Sequence, residues 1–132
     1  MSASGGGSRP YEGYNIVRTG YMKKVKTGRR KWFVLRNETP EAQARLEYYD
    51  SEKKYQGGVA PRKVILLKTC FNINQINNSK HKNVIALYTK DECLSLGIED
   101  DAEADAWFKD LLLLQQGVEL PEGQVPKPTF GE

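Results

Sequence analysis

Apolar and polar residues alternate in short runs along the first hundred positions, which predicts β-strands rather than helices. Residues two apart in a strand share a face, so Arg29, Lys31, Phe33 and Leu35 point the same way. That face begins with two cations and ends with two apolar side chains. The pattern predicts a strand that enters a hydrophobic core while its first two residues line the open mouth of that core.

Turn-forming residues divide the alternating pattern into seven runs. Gly28 follows the first run, Pro40 lies in a polar loop after the second, and Gly57-Gly58 marks a loop over Lys53–Ala60. Short strands separated in this way are typical of an antiparallel sandwich or barrel. The predicted strands are Tyr14–Lys24, Lys31–Arg36, Arg45–Tyr49, Arg62–Leu67, Cys70–Ile76, Asn83–Thr89 and Cys93–Ile98.

The period then changes to that of a helix. Asp100 is a favourable N-cap with Glu103 three residues later, as in a capping box, and Gly117 is a natural C-terminal stop. One face of this segment is apolar, which predicts that the helix packs on the core. The residues of that face are Ala104, Trp107, Leu111 and Leu114, widened by Phe108 and Leu112.

Length and composition predict one domain between two polar ends. With 132 residues, of which 39% are hydrophobic and 28% charged, the chain is long enough to bury a core. Residues 1–13 are rich in Gly and Ser and predict a flexible leader, whereas residues 118–132 are rich in Pro and Gly and predict a linker. The domain is therefore expected over residues 14–117.

The two cysteines and the single histidine indicate no metal or disulfide chemistry. Cys70 and Cys93 have neither a metal-ligand spacing nor a disulfide framework, so we expect two buried thiols in a reducing, cytoplasmic setting. His81 has no potential ligand at a suitable spacing. No nucleophile motif, phosphate-binding Gly loop or acid–base pair is apparent. The sequence therefore predicts a protein that is not an enzyme and needs no cofactor.

Charge is distributed unevenly along the chain. Residues 91–110 hold eight acidic residues against Lys109, while no acidic residue lies between Asn15 and Asn37. Such a polarised chain orients well on an anionic surface. The cations of the first segment predict an anion-binding hairpin, and a solvated hairpin that only keeps the protein soluble is the alternative. These cations are Arg18, Lys23, Lys24, Lys26, Arg29, Arg30, Lys31 and Arg36.

Seven strands, a basic first hairpin and a helix that bears Trp107 resemble a pleckstrin homology (PH) domain. The segments GYMKKVKTGRRKWFVLR, ARLEYYDSEKK, CFNIN and HKNVIALYTKDE closely resemble the N-terminal PH domain of insulin receptor substrate proteins. The resemblance implies a mainly β fold, a bent seven-stranded antiparallel barrel capped by the C-terminal α-helix. It also implies that a phosphotyrosine-binding domain follows the linker in the full-length adaptor.

The same resemblance implies phosphoinositide head groups of the inner leaflet as ligands. It further implies that the adaptor is cytoplasmic and is recruited to the plasma membrane near the insulin receptor or a related receptor tyrosine kinase. The residues that match the family's ligand positions are Lys24, Arg29, Lys31, Tyr48 and Arg62. Lys31 stands where the family's signature prefers Arg, and Lys is a point charge rather than a bidentate fork. Lys23, Lys26 and Arg30 are expected to face the bilayer's diffuse negative potential.

Strand parity agrees with these ligand positions. Tyr48 shares a face with Leu46, and Arg62 shares one with Val64 and Leu66, so both residues are expected at the rim of the core. Tyr48 could equally be a half-buried packing residue. Acidic segments of partner proteins are an alternative ligand for the same basic face, whereas nucleic acid is disfavoured because Trp32 and Phe33 are better suited to packing than to base stacking.

Overall fold

The computed structural model describes residues 15–77 and 82–121. Its seven strands form one sheet, and the predictions for residues 1–13 and for His81 lie outside the described residues. The strands are β1 (Ile16–Lys24), β2 (Arg29–Arg36), β3 (Arg45–Tyr49), β4 (Lys63–Leu66), β5 (Cys70–Ile76), β6 (Val84–Thr89) and β7 (Cys93–Gly97); the helices are α1 (Glu52–Gln56) and α2 (Asp101–Gln115).

All neighbouring strands are antiparallel, in the order β4-β3-β2-β1-β7-β6-β5. Strand β1 joins the two halves, because it pairs with β2 along most of its length and with β7 only at Lys23 and Lys24. The pairing of β1 with β2 shifts register near Arg18, which marks a bulge. The predicted seven-stranded antiparallel fold with a C-terminal helix is therefore confirmed.

Helix α2 packs its apolar face on the inner face of the sheet. Ala104, Trp107, Leu111 and Leu114 are buried, as predicted, in the main core. The carboxylate of Asp100 accepts a hydrogen bond from the Glu103 backbone N–H at 2.8 Å and so caps the N-terminus.

The C-terminus of α2 ends in a Schellman motif at the predicted glycine. Gly117 has a φ of +89°, and its N–H donates to the carbonyl of Leu114 at 3.1 Å. The N–H of Val118 donates to the carbonyl of Leu113 at 2.9 Å. A side chain at Gly117 would be strained by this left-handed backbone.

Packed structure continues beyond the predicted end of the domain at residue 117. Leu120 packs against the main core, and its N–H donates to the Asn37 side-chain oxygen at 3.1 Å. The Asn37 amide in turn donates to the carbonyl of Leu120. The first residues of the predicted linker are thus tied to the end of β2, while residues 122–132 lie outside the described residues.

Three local predictions were wrong. The loop predicted over Lys53–Ala60 contains α1, because Ser51 caps the first turn by accepting from the Lys54 N–H at 3.1 Å. Cys93 is exposed on β7, while Cys70 is buried as expected. In β4 the core-facing residue is Ile65, so Val64 is exposed and the predicted face of Arg62 is incorrect.

Candidate anion-binding site

The β1–β2 hairpin separates its cations onto two faces. Met22 pairs with Lys31 and Lys24 pairs with Arg29, and the burial of Met22 in the main core identifies these four positions as the inner face. Arg30 belongs to the outer face, because its parity is opposite. The cations of this hairpin thus lie both in the mouth of the barrel and on its outer surface.

Within the mouth, Lys24 and Tyr48 form a direct contact. The Lys24 Nζ donates to the Tyr48 hydroxyl at 2.9 Å and lies 4.8 Å from the centroid of the same ring. The Tyr48 ring is buried and packs at 5.2 Å from that of Phe33. Tyr48 is therefore both a packing residue and a polar group that positions the Lys24 ammonium.

Lys31 and Arg62 are brought together by an acidic residue, Asp50. The same Asp50 carboxylate oxygen lies 2.7 Å from the Lys31 Nζ and 3.4 Å from the Arg62 Nε. Arg62 reaches this place without belonging to a strand, because its N–H donates to the Tyr48 carbonyl at 2.8 Å just before β4 begins. The predicted ligand residues thus form two groups, Lys24 with Tyr48 and Lys31 with Arg62, which the backbone hydrogen bond between Arg62 and Tyr48 joins.

Arg29 completes the group at the tip of the hairpin. It is exposed and pairs with Lys24, and its N–H donates to the Thr27 hydroxyl at 3.3 Å. Gly28 before it has a φ of +74°, which permits the turn. The five predicted ligand residues are hereafter called the mouth cluster: Lys24, Arg29, Lys31, Tyr48 and Arg62.

The residues predicted to face the membrane lie outside the mouth. Lys23, Lys26 and Arg30 are exposed, and the Arg30 guanidinium lies 4.8 Å from the centroid of the Tyr21 ring. A cavity of about 370 Å³ on this outer side is lined in part by Lys23 and Arg30 and by none of the mouth cluster. The mouth and this cavity are therefore separate features.

Acidic residues at the mouth were not identified from the sequence. Asp50 was overlooked because it follows β3 directly and has no special spacing, although in the antiparallel register it stands opposite Lys31, one step beyond the pair Trp32–Tyr49. Glu92, between β6 and β7, forms an ion pair with Lys63, which pairs with Tyr48 in the sheet. These contacts depend on residues far apart in sequence, so no local pattern predicts them.

The cations around Asp50 favour its ionised form. The hydrogen bond from Lys31, together with the positive charges of Lys31 and Arg62, lowers the pKa of the Asp50 carboxyl below its usual value. Because the pKa of Asp50 is lowered in the folded protein, the stabilisation from these contacts is fully present above the ordinary carboxyl pKa. It is lost as the pH falls through the lowered pKa. At neutral pH the Asp50 carboxylate in the mouth is therefore ionised and bound by Lys31 and Arg62.

No cluster of metal ligands is found among residues 15–77 and 82–121. Over the same part of the chain, none of the helices has both the length and the apolar character that crossing a bilayer requires.

The chain belongs to the PH domain family, whose sequence model matches residues 11–115. The crystal structure of the C-terminal PH domain of pleckstrin in complex with D-myo-Ins(1,2,3,5,6)P5 superimposes with a TM-score of 0.60 and 25% identity, covering 76% of this chain and 95% of that one. The PH domain of human oxysterol binding protein-related protein 11 gives a TM-score of 0.61 at 22% identity, covering 90% and 98% of the two chains.

Within this family, the sequence is similar to insulin receptor substrate proteins, which confirms the resemblance found in the sequence. It is 43% identical over 110 residues to insulin receptor substrate 1 of Drosophila yakuba, covering 83% of this chain and 12% of the relative. It is 41% identical over 99 residues to insulin receptor substrate 1-B of Xenopus laevis, covering 74% of this chain and 9% of the relative. The chain thus spans a small part of these relatives' length.

Proposed function

We propose that this PH domain binds phosphoinositide head groups in the mouth cluster and thereby recruits an insulin receptor substrate-like adaptor to the plasma membrane near an activated receptor tyrosine kinase. One observation carries the proposal: at one end of the barrel the Lys24 ammonium contacts the Tyr48 hydroxyl, while Lys31 and Arg62 meet at Asp50. The backbone hydrogen bond from Arg62 to Tyr48 links the two groups. Convergent ammonium and guanidinium groups suit a cluster of phosphates. The module is non-catalytic in this proposal.

The exposed cations outside the mouth support an oriented membrane encounter. Lys23, Lys26 and Arg30 are exposed around the same hairpin tip as the mouth cluster. Each such residue contributes about 1 kcal/mol near an anionic surface. A head group held in the mouth would therefore bring these side chains to the bilayer. The relation to a pleckstrin domain whose structure contains an inositol pentakisphosphate is consistent with this ligand class.

The decisive experiment is an amide NMR titration with soluble inositol phosphates that differ in ring position, alongside vesicles of matched total charge. The proposal expects localised shifts at Lys24, Arg29, Lys31, Tyr48 and Arg62 with a preference among isomers. Shifts that follow total charge alone would replace the pocket by a diffuse basic surface.

A charge-reversal variant tests the same residues. Replacing Arg29 and Lys31 with Glu is expected to weaken head-group binding by at least tenfold, about 1.4 kcal/mol or more, because two cations of the mouth become repulsive. The control replaces Lys68 and Lys109 with Glu, which changes the net charge equally at exposed positions outside the mouth cluster. Equal losses in both variants, or retained binding in the first, would contradict a pocket at the mouth.

A second candidate function is capture of an acidic protein segment by the same cluster. The observation that favours it is the carboxylate of Asp50 bound by Lys31 and Arg62, since a partner's carboxylate offers the same group. Competition separates the two candidates. A soluble inositol polyphosphate that displaces both vesicles and an acidic peptide indicates a shared site, and binding of the peptide alone would favour the second function.

A further inference from the structure

In the mouth, Lys31 and Arg62 are paired with a carboxylate of the protein itself. A single oxygen of Asp50 lies 2.7 Å from the Lys31 Nζ and 3.4 Å from the Arg62 Nε. The Lys31 side chain retains only 15% of its exposed surface, whereas the Asp50 side chain retains 33%. The cation is therefore held in place while the anion opposite it borders solvent.

We propose that Asp50 is an internal competitor for the anion site, so that a phosphate enters the mouth by displacing the carboxylate from Lys31 and Arg62. A carboxylate and a phosphate oxygen use the same donors with similar geometry, and one oxygen position cannot hold both. Asp50 can leave at little cost, because it is partly exposed and its carboxylate is rehydrated on release. Because the Asp50 carboxylate must first be displaced, the site binds a phosphate more weakly than it would without Asp50.

The competition is local, which distinguishes it from a simple charge effect. Removing a carboxylate near the mouth raises the attraction of that end of the molecule for an anionic surface whether or not the carboxylate touches the ligand donors, because charges closer than about 10 Å are only partly screened. Only removal of Asp50 frees two donors inside the mouth. A ligand that is held by the mouth gains from that release, whereas a surface that attracts the domain diffusely does not. The inference rests on the proposed function, because it needs an anion that enters the mouth cluster.

The test compares three versions of this chain: the wild type, Asp50→Asn, and the charge-matched control Asp91→Asn. Asp91 is exposed in the turn between β6 and β7, at the same end of the sheet as the tip of the β1–β2 hairpin. Lys31 and Arg62 form their ion pairs with Asp50 rather than with Asp91. Affinity for inositol hexakisphosphate is measured by calorimetry, and binding to phosphatidylserine vesicles is measured by sedimentation. Asp50→Asn is expected to bind inositol hexakisphosphate about fivefold more tightly than the control, as for the loss of a partly exposed ion pair.

Binding to phosphatidylserine vesicles is expected to be equal for Asp50→Asn and Asp91→Asn. A second measurement uses the wild type alone: the carboxylate ¹³C signal of Asp50 should move toward that of a free aspartate as inositol hexakisphosphate is added. This readout does not depend on the stability of any variant.

The outcomes separate this inference from the proposed function. Equal affinities for inositol hexakisphosphate in Asp50→Asn and the control, with an unmoved Asp50 signal, would overturn the competitor and leave the head-group site intact. Weaker binding by Asp50→Asn would overturn it too, because Asp50 would then be a positioning residue for Lys31 and Arg62. Absence of binding by all three proteins would overturn the proposed function together with the inference.

Discussion

At the residue scale, the alternation of side chains between the two faces of a strand accounts for most of the correct predictions. Lys31 and Phe33 share a face as expected, so the strand passes from the mouth into the core. Tyr48 illustrates what parity cannot give: the sequence left open whether it packs or binds, and the structure gives it a buried ring with a hydroxyl that contacts Lys24. Arg62 was predicted for the mouth on an incorrect strand face, and it reaches Asp50 from the segment before β4.

The double role of Tyr48 can be separated by removing its hydroxyl alone. Tyr48→Phe keeps the ring beside Phe33, so the free energy of unfolding is expected to change by less than about 1 kcal/mol. Affinity for inositol hexakisphosphate is expected to fall about three- to tenfold, because Lys24 loses the acceptor that positions it. Calorimetry and urea unfolding measure the two effects. Unchanged affinity would show that the hydroxyl takes no part in binding and that Tyr48 is a packing residue only.

The two cysteines differ in a way that alkylation can measure. Burial raises the pKa of the Cys70 thiol to about 11, whereas Cys93 is exposed. At pH 8 we therefore expect iodoacetamide to modify Cys93 much faster than Cys70, as followed by mass spectrometry of the peptides. The difference should disappear in urea. Comparable rates in the folded protein would contradict the burial of Cys70.

At the element scale, the outer face of β2 and β3 contains a polar network that the sequence did not reveal. Glu47 accepts hydrogen bonds from the Arg36 Nε at 3.0 Å, from Arg45 at 2.8 Å and from the Tyr49 hydroxyl at 2.7 Å. Arg36 and Glu47 are both buried, beside a small cluster of Ile16, Val34 and Tyr49. In the sequence alone Arg36 is one more cation of the hairpin, because its partner Glu47 lies on the neighbouring strand.

Glu47→Gln is expected to destabilise the domain by about 3 kcal/mol at neutral pH, because it removes the charge of Glu47 from beside the buried Arg36 guanidinium. Burial opposes ionisation, but Arg36 and the hydrogen bonds from Tyr49 and Arg45 outweigh it and lower the pKa of Glu47. The stabilisation that the Glu47 charge gives the folded domain is therefore present above the ordinary carboxyl pKa. It is lost as the pH falls below about 4 and through the lowered pKa of Glu47.

Urea unfolding at several pH values measures this effect of Glu47. The difference between wild type and variant should be largest near pH 7 and should shrink toward pH 3. Glu41→Gln, at an exposed position, serves as the control with little effect at any pH. A difference that does not change with pH would mean that the charge of Glu47 is not what stabilises the pair of strands.

At the scale of the whole molecule, the sequence predicted the seven strands and the capping helix, and the structure confirms both. These features depend on periodicity and on residues close together in the chain. It did not predict the contacts that join distant segments: Asp50 with Arg62, Glu92 with Lys63, or Leu120 with Asn37. Such contacts depend on how the sheet bends, and the residue pattern of a single strand does not predict this bending.

The contact between Leu120 and Asn37 gives a prediction for the molecule as a whole. Asn37→Ala removes an acceptor and a donor from a buried site and is expected to lower the free energy of unfolding by about 1–3 kcal/mol. Hydrogen exchange at the Leu120 amide should accelerate, while inositol hexakisphosphate affinity stays unchanged because the mouth cluster is not touched. Unchanged exchange at Leu120 would show that this segment is held by packing alone.

The same contact determines on which side of the domain the polypeptide departs. Strand β2 starts at Arg29 beside the mouth and ends at Arg36, so eight residues at about 3.3 Å each separate Asn37 from the hairpin tip by about 25 Å. In the proposed orientation, with the mouth turned to a bilayer, Leu120 lies at the end of the domain away from the lipid. In that binding mode the domain would act as a spacer of fixed height, which holds Leu120 at a set distance from the lipid.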